Sequence, residues 1–268
     1  MAATDLTEIT PNPPVPDMSF WERIAPPEDI SVHGHLIDFL FAYTSWLNVF
    51  FFFLVCAGLF GFSYLYHHKR HPKPYFTYGN KKNHILVATV MGILVFLTID
   101  LNITRMSNDD YLEVFANWEG LDGEDVVRVQ VMAQQWMWTF RYPGLDRAFN
   151  TPDDVLSVNH LHIPVGKKVV VQLLSKDVIH SLYIPNVRRK VDAIPGRITR
   201  MWFQTKKTGD YEIACAEMCG TYHYKMAAKM TVHGERDYNY WNNLAQRMAL
   251  MENNPQDIDS FWGWKWKN

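Results

Sequence analysis

Residues 39–66 run for 28 positions without a Lys, Arg, Asp or Glu, and they include Phe-Phe-Phe-Phe-Leu-Val at 50–55. A helix rises about 1.5 Å per residue, so about 20 apolar residues carry it across the hydrocarbon of a bilayer. The chain is therefore expected to be a membrane protein. A second apolar run, residues 85–104, is interrupted by Asp100 after fifteen uncharged positions. Alone it also reads as the buried helix of a soluble domain. Beside the first span it reads as the second arm of a hairpin over 37–104. A carboxylate within a span usually turns toward protein, so Asp100 is expected to face a partner subunit or lie near the outer interface.

Charge orients the hairpin. The connecting segment 67–82 carries Lys69, Arg70, Lys73, Lys81 and Lys82 and no acid. Short Lys/Arg-rich loops remain in the cytoplasm, which puts both termini outside. Residues 1–36 hold six acids and one Arg, with prolines at 11, 13, 14 and 16 and no apolar signal region. They read as an exported, disordered tail and not as a signal peptide. Cys56 lies inside the first span, where it reads as a packing residue. Residues 105–125, with seven acids against Arg105, read as an exposed acidic linker with a short helix near 110–118.

From Val126 the pattern changes. Val127, Val129 and Val131 alternate with Arg128, Gln130 and Met132, the period of two of a half-buried strand. Further strands are expected at 135–142, 168–174, 181–184, 198–204, 211–214 and 226–232. Pro164-Val-Gly166, Pro195-Gly196 and Thr208-Gly209-Asp210 supply turns between them. About seven short strands in about 110 residues suffice for one sandwich or barrel. Residues 235–268 are expected to be helical at 238–251. They end in Phe261-Trp-Gly-Trp-Lys-Trp266, aromatics that suit a lipid interface or the cover of the domain or a neighbouring subunit. The chain has no internal repeat and no nucleotide-binding fingerprint, and nucleic acid is not an expected partner.

The chemistry is concentrated between Cys215 and Met226, which reads Cys-Ala-Glu-Met-Cys-Gly-Thr-Tyr-His-Tyr-Lys-Met, with His180 upstream in Asp-Val-Ile-His-Ser. Soft sulfur ligands combined with imidazoles suit copper. Two thiolates with a histidine on each side can bridge two copper ions. A Cys215–Cys219 disulfide or a Cys2His2 zinc site uses the same residues, but neither accounts for Met226. Covalent haem needs Cys-x-x-Cys-His, and His223 follows Cys219 at a different spacing.

Four motifs occur in order: Gln-Trp-Met-Trp at 135–138, Asp-Val-Ile-His-Ser at 177–181, Lys-Val-Asp-Ala-Ile-Pro-Gly-Arg at 190–197, and the cysteine motif. Over residues 30–235 the chain resembles subunit II of the haem–copper cytochrome c oxidases. The resemblance implies a two-helix transmembrane hairpin followed by an all-β cupredoxin-like Greek-key sandwich over 126–234. It implies that Cys215 and Cys219 bridge two copper ions and that His180 and His223 each complete one of them. Met226 Sδ and the backbone carbonyl of Glu217 would be weaker ligands. The Glu217 carboxylate would reach a magnesium ion shared with subunit I. Trp136 matches the residue where electrons arrive, and His223 the residue where they leave toward haem. Its competing role, a core strand tryptophan, is supported by the alternation with Trp138. Asp177, Lys190 and Asp192 match positions near the subunit boundary.

Two departures stand out. Met137 replaces a common Tyr, and His84 stands where the family often has a Glu near a proton path, as a relay or an interfacial residue. The implied function is electron uptake from cytochrome c for a proton-pumping terminal oxidase that reduces oxygen to water in subunit I. Subunits I and III are the implied partners. The implied location is a bacterial-type inner membrane with the copper domain on the periplasmic side. A metal-free subunit like that of the quinol oxidases would lack the Cys/Cys/His/His/Met set. A nitrous oxide reductase lacks the hairpin and needs a second large domain. Residues 126–234 carry fifteen Lys/Arg against eight Asp/Glu, formally +7. A basic soluble cytochrome would be repelled there unless the acidic 105–125 stretch attracted it, which favours an acidic, membrane-held or complex-bound haem c domain as donor.

Overall fold

The structure is a computed structural model and describes residues 19, 25–73, 76, 78–151 and 153–252. The proline-rich part of the tail and the Trp-rich end lie outside the described residues. Helix α1 spans Gly34–Leu65. Ahead of it, Asp29 Oδ1 accepts the Ser31 N–H at 2.9 Å, and Ser31 Oγ accepts the Gly34 N–H at 2.7 Å. A Cβ at Gly34 would lie 2.0 Å from Asp29 Oδ1, so this start requires glycine. Helix α2 runs from Lys82 to Phe115, with π-helical turns at Phe96–Asp100 and Tyr111–Phe115. Both helices are long and apolar enough to cross a membrane, and Phe50, Phe52, Phe53, Leu86 and Val87 stand exposed along them, as side chains facing lipid would. Asp100 ends the first π turn with its side chain exposed, and His84 is exposed in the first turn of α2.

Helix α2 extends well past residue 104, so 105–109 is helix and not linker, and the short helix expected near 110–118 is its last turn, ending at Phe115. A helix that leaves the bilayer keeps its backbone hydrogen bonds while its side chains turn polar, and composition alone reads that change as a loop. Only a short connection then remains. Its Leu121 is buried against Val170 and Trp202 on the outer side of the first sheet.

Ten strands follow among the described residues: β1 Val127–Gln134, β2 Met137–Tyr142, β3 Val155–Val158, β4 His160–Pro164, β5 Lys168–Ser175, β6 His180–Ile184, β7 Arg189–Ala193, β8 Thr199–Gln204, β9 Gly209–Cys215 and β10 Ala227–His233. They form two five-stranded sheets, ordered β3-β2-β1-β5-β8 and β4-β10-β9-β6-β7. The β1–β5 and β4–β10 pairs are parallel and the others antiparallel. Val129, Val131 and Leu173 of one sheet meet Leu161, Ile213 and Met230 of the other in a buried core. The three strands beyond the seven expected are β3, β4 and β7, and all three lie at sheet edges. Edge strands are half-solvated and carry polar or charged residues, which weakens the apolar run that betrays a central strand. Helix α3, Glu235–Glu252, closes the described chain.

The expectation of disorder over 1–36 does not hold for its described end. Ile30 is fully buried in the sandwich core. Its N–H donates to Asn186 O at 2.9 Å, and its carbonyl accepts the Lys206 N–H at 2.8 Å. Ser31 bridges Thr205 in antiparallel fashion. An acidic, proline-bearing context hid one apolar residue with a specific pocket. Two neighbouring arginines complete the junction with the helices. Arg188, at φ 61°, donates to both Asp38 carboxylate oxygens at 2.7 and 3.0 Å. Buried Arg189 lies 3.9 Å from the Phe115 ring centre and donates to Val114 O at 3.3 Å, next to the negative end of the α2 dipole.

Candidate metal centre

Three segments converge at one end of the sandwich. His180 begins β6, Cys215 ends β9, and the loop from Ala216 to Met226 leads into β10. Strand pairing sets the first two side by side, since Leu182 is in register with Cys215. The loop folds back so that the Cys215 N–H donates to Met226 O at 3.1 Å. His180, Cys215, Cys219 and Met226 are all buried, while His223 is half-buried.

The donor atoms face one another. Cys215 Sγ and Cys219 Sγ are 3.8 Å apart and remain thiols, with no disulfide between them. Cys219 Sγ lies 3.5 Å from His223 Nδ1 and 3.8 Å from Met226 Sδ. His180 Nδ1 lies 3.1 Å from Met226 Sδ. His180, Cys215 and Cys219 each bring one donor atom within 4.8 Å of the others, which makes a candidate metal site. Cys215 Sγ also approaches the Glu217 carbonyl oxygen at 3.3 Å. The Glu217 side chain is exposed.

Asp177 sets the orientation of His180. Its Oδ1 accepts the His180 Nε2–H at 2.8 Å, which leaves Nδ1 bare toward the sulfurs. Its Oδ2 accepts the Gln135 N–H at 2.7 Å. Burial opposes ionisation of Asp177, but the His180 hydrogen bond and the Gln135 and Val178 amides outweigh it and hold the carboxyl below its ordinary range. Burial also works against protonated His180, yet Cys215 and Asp177 together raise it.

The thiols behave as a pair. Burial pushes Cys215 up, but hydrogen bonding with His180, Ser181, Glu217 and His223 outweighs this and draws it below the usual thiol range. Burial and the neighbouring Cys215 push Cys219 up. One thiolate therefore forms readily, and the second needs added positive charge. The donor set fits copper: two thiols at bridging distance, two imidazoles and a thioether are soft and borderline ligands. The weak Met thioether beside a His/Cys set is the arrangement of electron-transfer copper sites, whereas zinc sites draw on Cys, His and carboxylates.

Trp136 and Trp138 part company here. Trp138 is fully buried in the core, with its ring 6.1 Å from that of His180. Trp136 precedes β2, follows a cis peptide at Gln135 and stays half-buried. Its Nε1–H donates to Cys219 O at 3.3 Å, and its ring meets Tyr222 edge-on at 4.8 Å. Met137 accepts a hydrogen bond from Gln134 Nε2 through its sulfur at 2.8 Å. Lys190 and Asp192 pair at 3.3 Å, and Asp192 accepts from Ser181 Oγ at 2.7 Å.

Sequence reasoning gave no role to Gln135 or Gly220. Gln135 Nε2–H donates to the same Cys219 carbonyl at 2.9 Å. Gly220 has φ 118°, and a Cβ there would lie 2.9 Å from Gln135 Nε2 and 3.2 Å from the Trp136 ring. The Cys-Gly step and the Gln before Trp were the available signals.

Fold and site together define a cupredoxin-like domain with a candidate metal site, joined to two helices long and apolar enough to cross a membrane. The family model described as "Cytochrome C oxidase subunit II, periplasmic domain" matches residues 127–232. The "Alternative cytochrome c oxidase subunit 2" of Bradyrhizobium diazoefficiens is 31% identical over 236 residues, covering 79% of this chain and 81% of that protein. The "Cytochrome c oxidase subunit 2" of Thermostichus vulcanus is 40% identical over 121 residues, which is 45% of this chain and 34% of that protein. A crystal structure of the periplasmic domain of cytochrome oxidase subunit II from Bradyrhizobium japonicum aligns with 27% identity and a TM-score of 0.41, over 46% of this chain and 94% of that one. The chain belongs to the cytochrome c oxidase subunit 2 family. It is a component of a haem–copper oxidase complex with a general role in electron transfer, and membership implies copper binding.

Proposed function

We propose that this chain is the electron-accepting subunit of a proton-pumping terminal oxidase. It takes electrons from a haem c donor and delivers them toward haem in subunit I, where oxygen becomes water. His180, Cys215, Cys219, His223, Met226 and the Glu217 carbonyl would hold two copper ions, which when bound supply reversible one-electron capacity. The observation that carries this reading is the buried Cys215–Cys219 pair at 3.8 Å with Trp136 hydrogen-bonded to the Cys219 carbonyl.

Each residue has a definite task. Trp136 offers a half-exposed indole where a donor can dock, and its N–H links that surface to the thiol loop. Asp177 fixes the proton of His180 on Nε2. Trp138 and the core beneath keep water from the sulfurs. His223, less buried than His180, faces outward for transfer to subunit I, and the exposed Glu217 carboxylate is free to contribute to a magnesium site there. Subunit III would complete the assembly. Both termini and the sandwich would lie on the periplasmic side, with 67–82 in the cytoplasm. The formal +7 of 126–234 favours an acidic, membrane-held donor.

Copper content and electron paramagnetic resonance of the full chain in detergent test the reading, with both thiols reduced before loading. Two coppers per chain and an unpaired electron shared by both nuclei are expected. Preference for zinc, or one copper with a localised spectrum, would overturn it.

A further inference from the structure

We propose that the Trp-rich segment 262–266, which lies outside the described residues, folds back onto α3 and covers an apolar stripe along it. Helix α3 turns one face to the sandwich, where Trp241 stacks on His162 at 4.3 Å and Ala249 is buried in the core. Another face carries Tyr240, Leu244, Met248 and Met251. Steps of four, four and three keep these residues on one line of a helix. They are 73%, 47%, 49% and 85% exposed. A contiguous stripe of large apolar side chains marks a surface that binds something.

The dimensions of the stripe select its occupant. Tyr240 to Met248 spans about 12 Å along the helix. Trp262-Gly-Trp264-Lys-Trp266 has a period of two. Extended, it lines its three indoles along one side over about 13 Å, with Lys265 on the other. Running antiparallel to α3, Trp262, Trp264 and Trp266 come level with Met248, Leu244 and Tyr240. Methionine sulfur packs favourably against aromatic rings. The same alignment brings Lys267 toward Asp237, an exposed acid in the first turn of α3.

The connection permits the fold-back. Asn253-Asn254-Pro255 directly follows α3. Asparagine suits the left-handed turn that ends a helix, and proline prevents the helix from continuing. The ten steps from Glu252 to Trp262 reach about 33 Å when extended, more than the return to Met248 requires. Tied to the end of the same helix, the indoles meet the stripe at an effective concentration on the order of millimolar, which a separate partner would have to match.

The test is methionine oxidation by chloramine-T of the full, copper-loaded chain in detergent, read for each methionine by mass spectrometry. Met218, 75% exposed in the thiol loop, is the internal reference. Two variants are compared: a chain ending at Glu252, and the triple substitution Trp262→Ser, Trp264→Ser and Trp266→Ser. Circular dichroism and the copper spectrum check that each is folded. In the unaltered chain Met248 and Met251 are expected to oxidise at least about tenfold more slowly than Met218, and in both variants to approach its rate. Oxidation of Met251 as fast as Met218 in the unaltered chain would overturn the proposal. So would protection that survives in both variants, which would assign the stripe to detergent or lipid or, where it weakens on dilution, to a second copy of the chain.

Discussion

Asp177 touches both His180 and the backbone of Gln135, at 2.8 and 2.7 Å, so one carboxylate holds an imidazole of the candidate metal site and the turn that carries Trp136. Replacing it with Asn keeps the size and removes the charge. Asp177→Asn is expected to weaken copper affinity about 10- to 100-fold, measured by competition with a chelator, while circular dichroism shows an intact sandwich. Unchanged affinity would remove Asp177 from the site.

Trp136→Phe retains a ring against Tyr222 and loses the N–H to Cys219 O. Copper content and spectrum should stay as they are while electron acceptance slows in stopped-flow mixing with a reduced donor. Equal rates would show that the link to Cys219 carries no weight.

Gly220 is held at φ 118° beneath Gln135 and Trp136. A methyl group there meets backbone strain and side-chain contact together. Gly220→Ala should cost about 1–3 kcal/mol in thermal or denaturant unfolding and shift Trp136 fluorescence. An unaltered midpoint with unaltered fluorescence would contradict the strain.

The pH dependence follows from His162. In the docked state it is depressed to about 3, mainly by burial and then by His160 and His233, against an ordinary value of 6.5. A free imidazole takes a proton that the packed one refuses. Its contribution to holding α3 is therefore complete above about pH 6.5 and falls progressively as pH drops toward 3. Lys229, Asp210, Tyr142, Tyr238 and Trp241 surround the group from the neighbouring strands and α3. Hydrogen exchange in α3 should rise across that window, and His162→Gln should flatten the dependence.

The first span and the thiol motif were legible because each rests on local pattern: a long charge-free run in one case, a fixed spacing of soft ligands in the other. The central strands were legible for the same reason. Residues 105–109 were not, since a helix emerging into water looks like a polar linker, and helix was expected only from about residue 110. Edge strands such as Arg189–Ala193 hid behind their charges. The distinct settings of Trp136 and Trp138 were beyond any period of two, because Trp136 sits outside the strand. Gln135 and Asp177, 42 positions apart, meet only in three dimensions.

Ile30 carries a consequence for biogenesis. It precedes both membrane helices, yet it fills a place in a sandwich whose strands begin only at Val127. The folding unit is thus split in sequence by its own anchor. During synthesis the first part of the chain must wait outside the membrane until about a hundred further residues have been made and translocated. A fragment cut after the hairpin would emerge with an open seam where that isoleucine belongs.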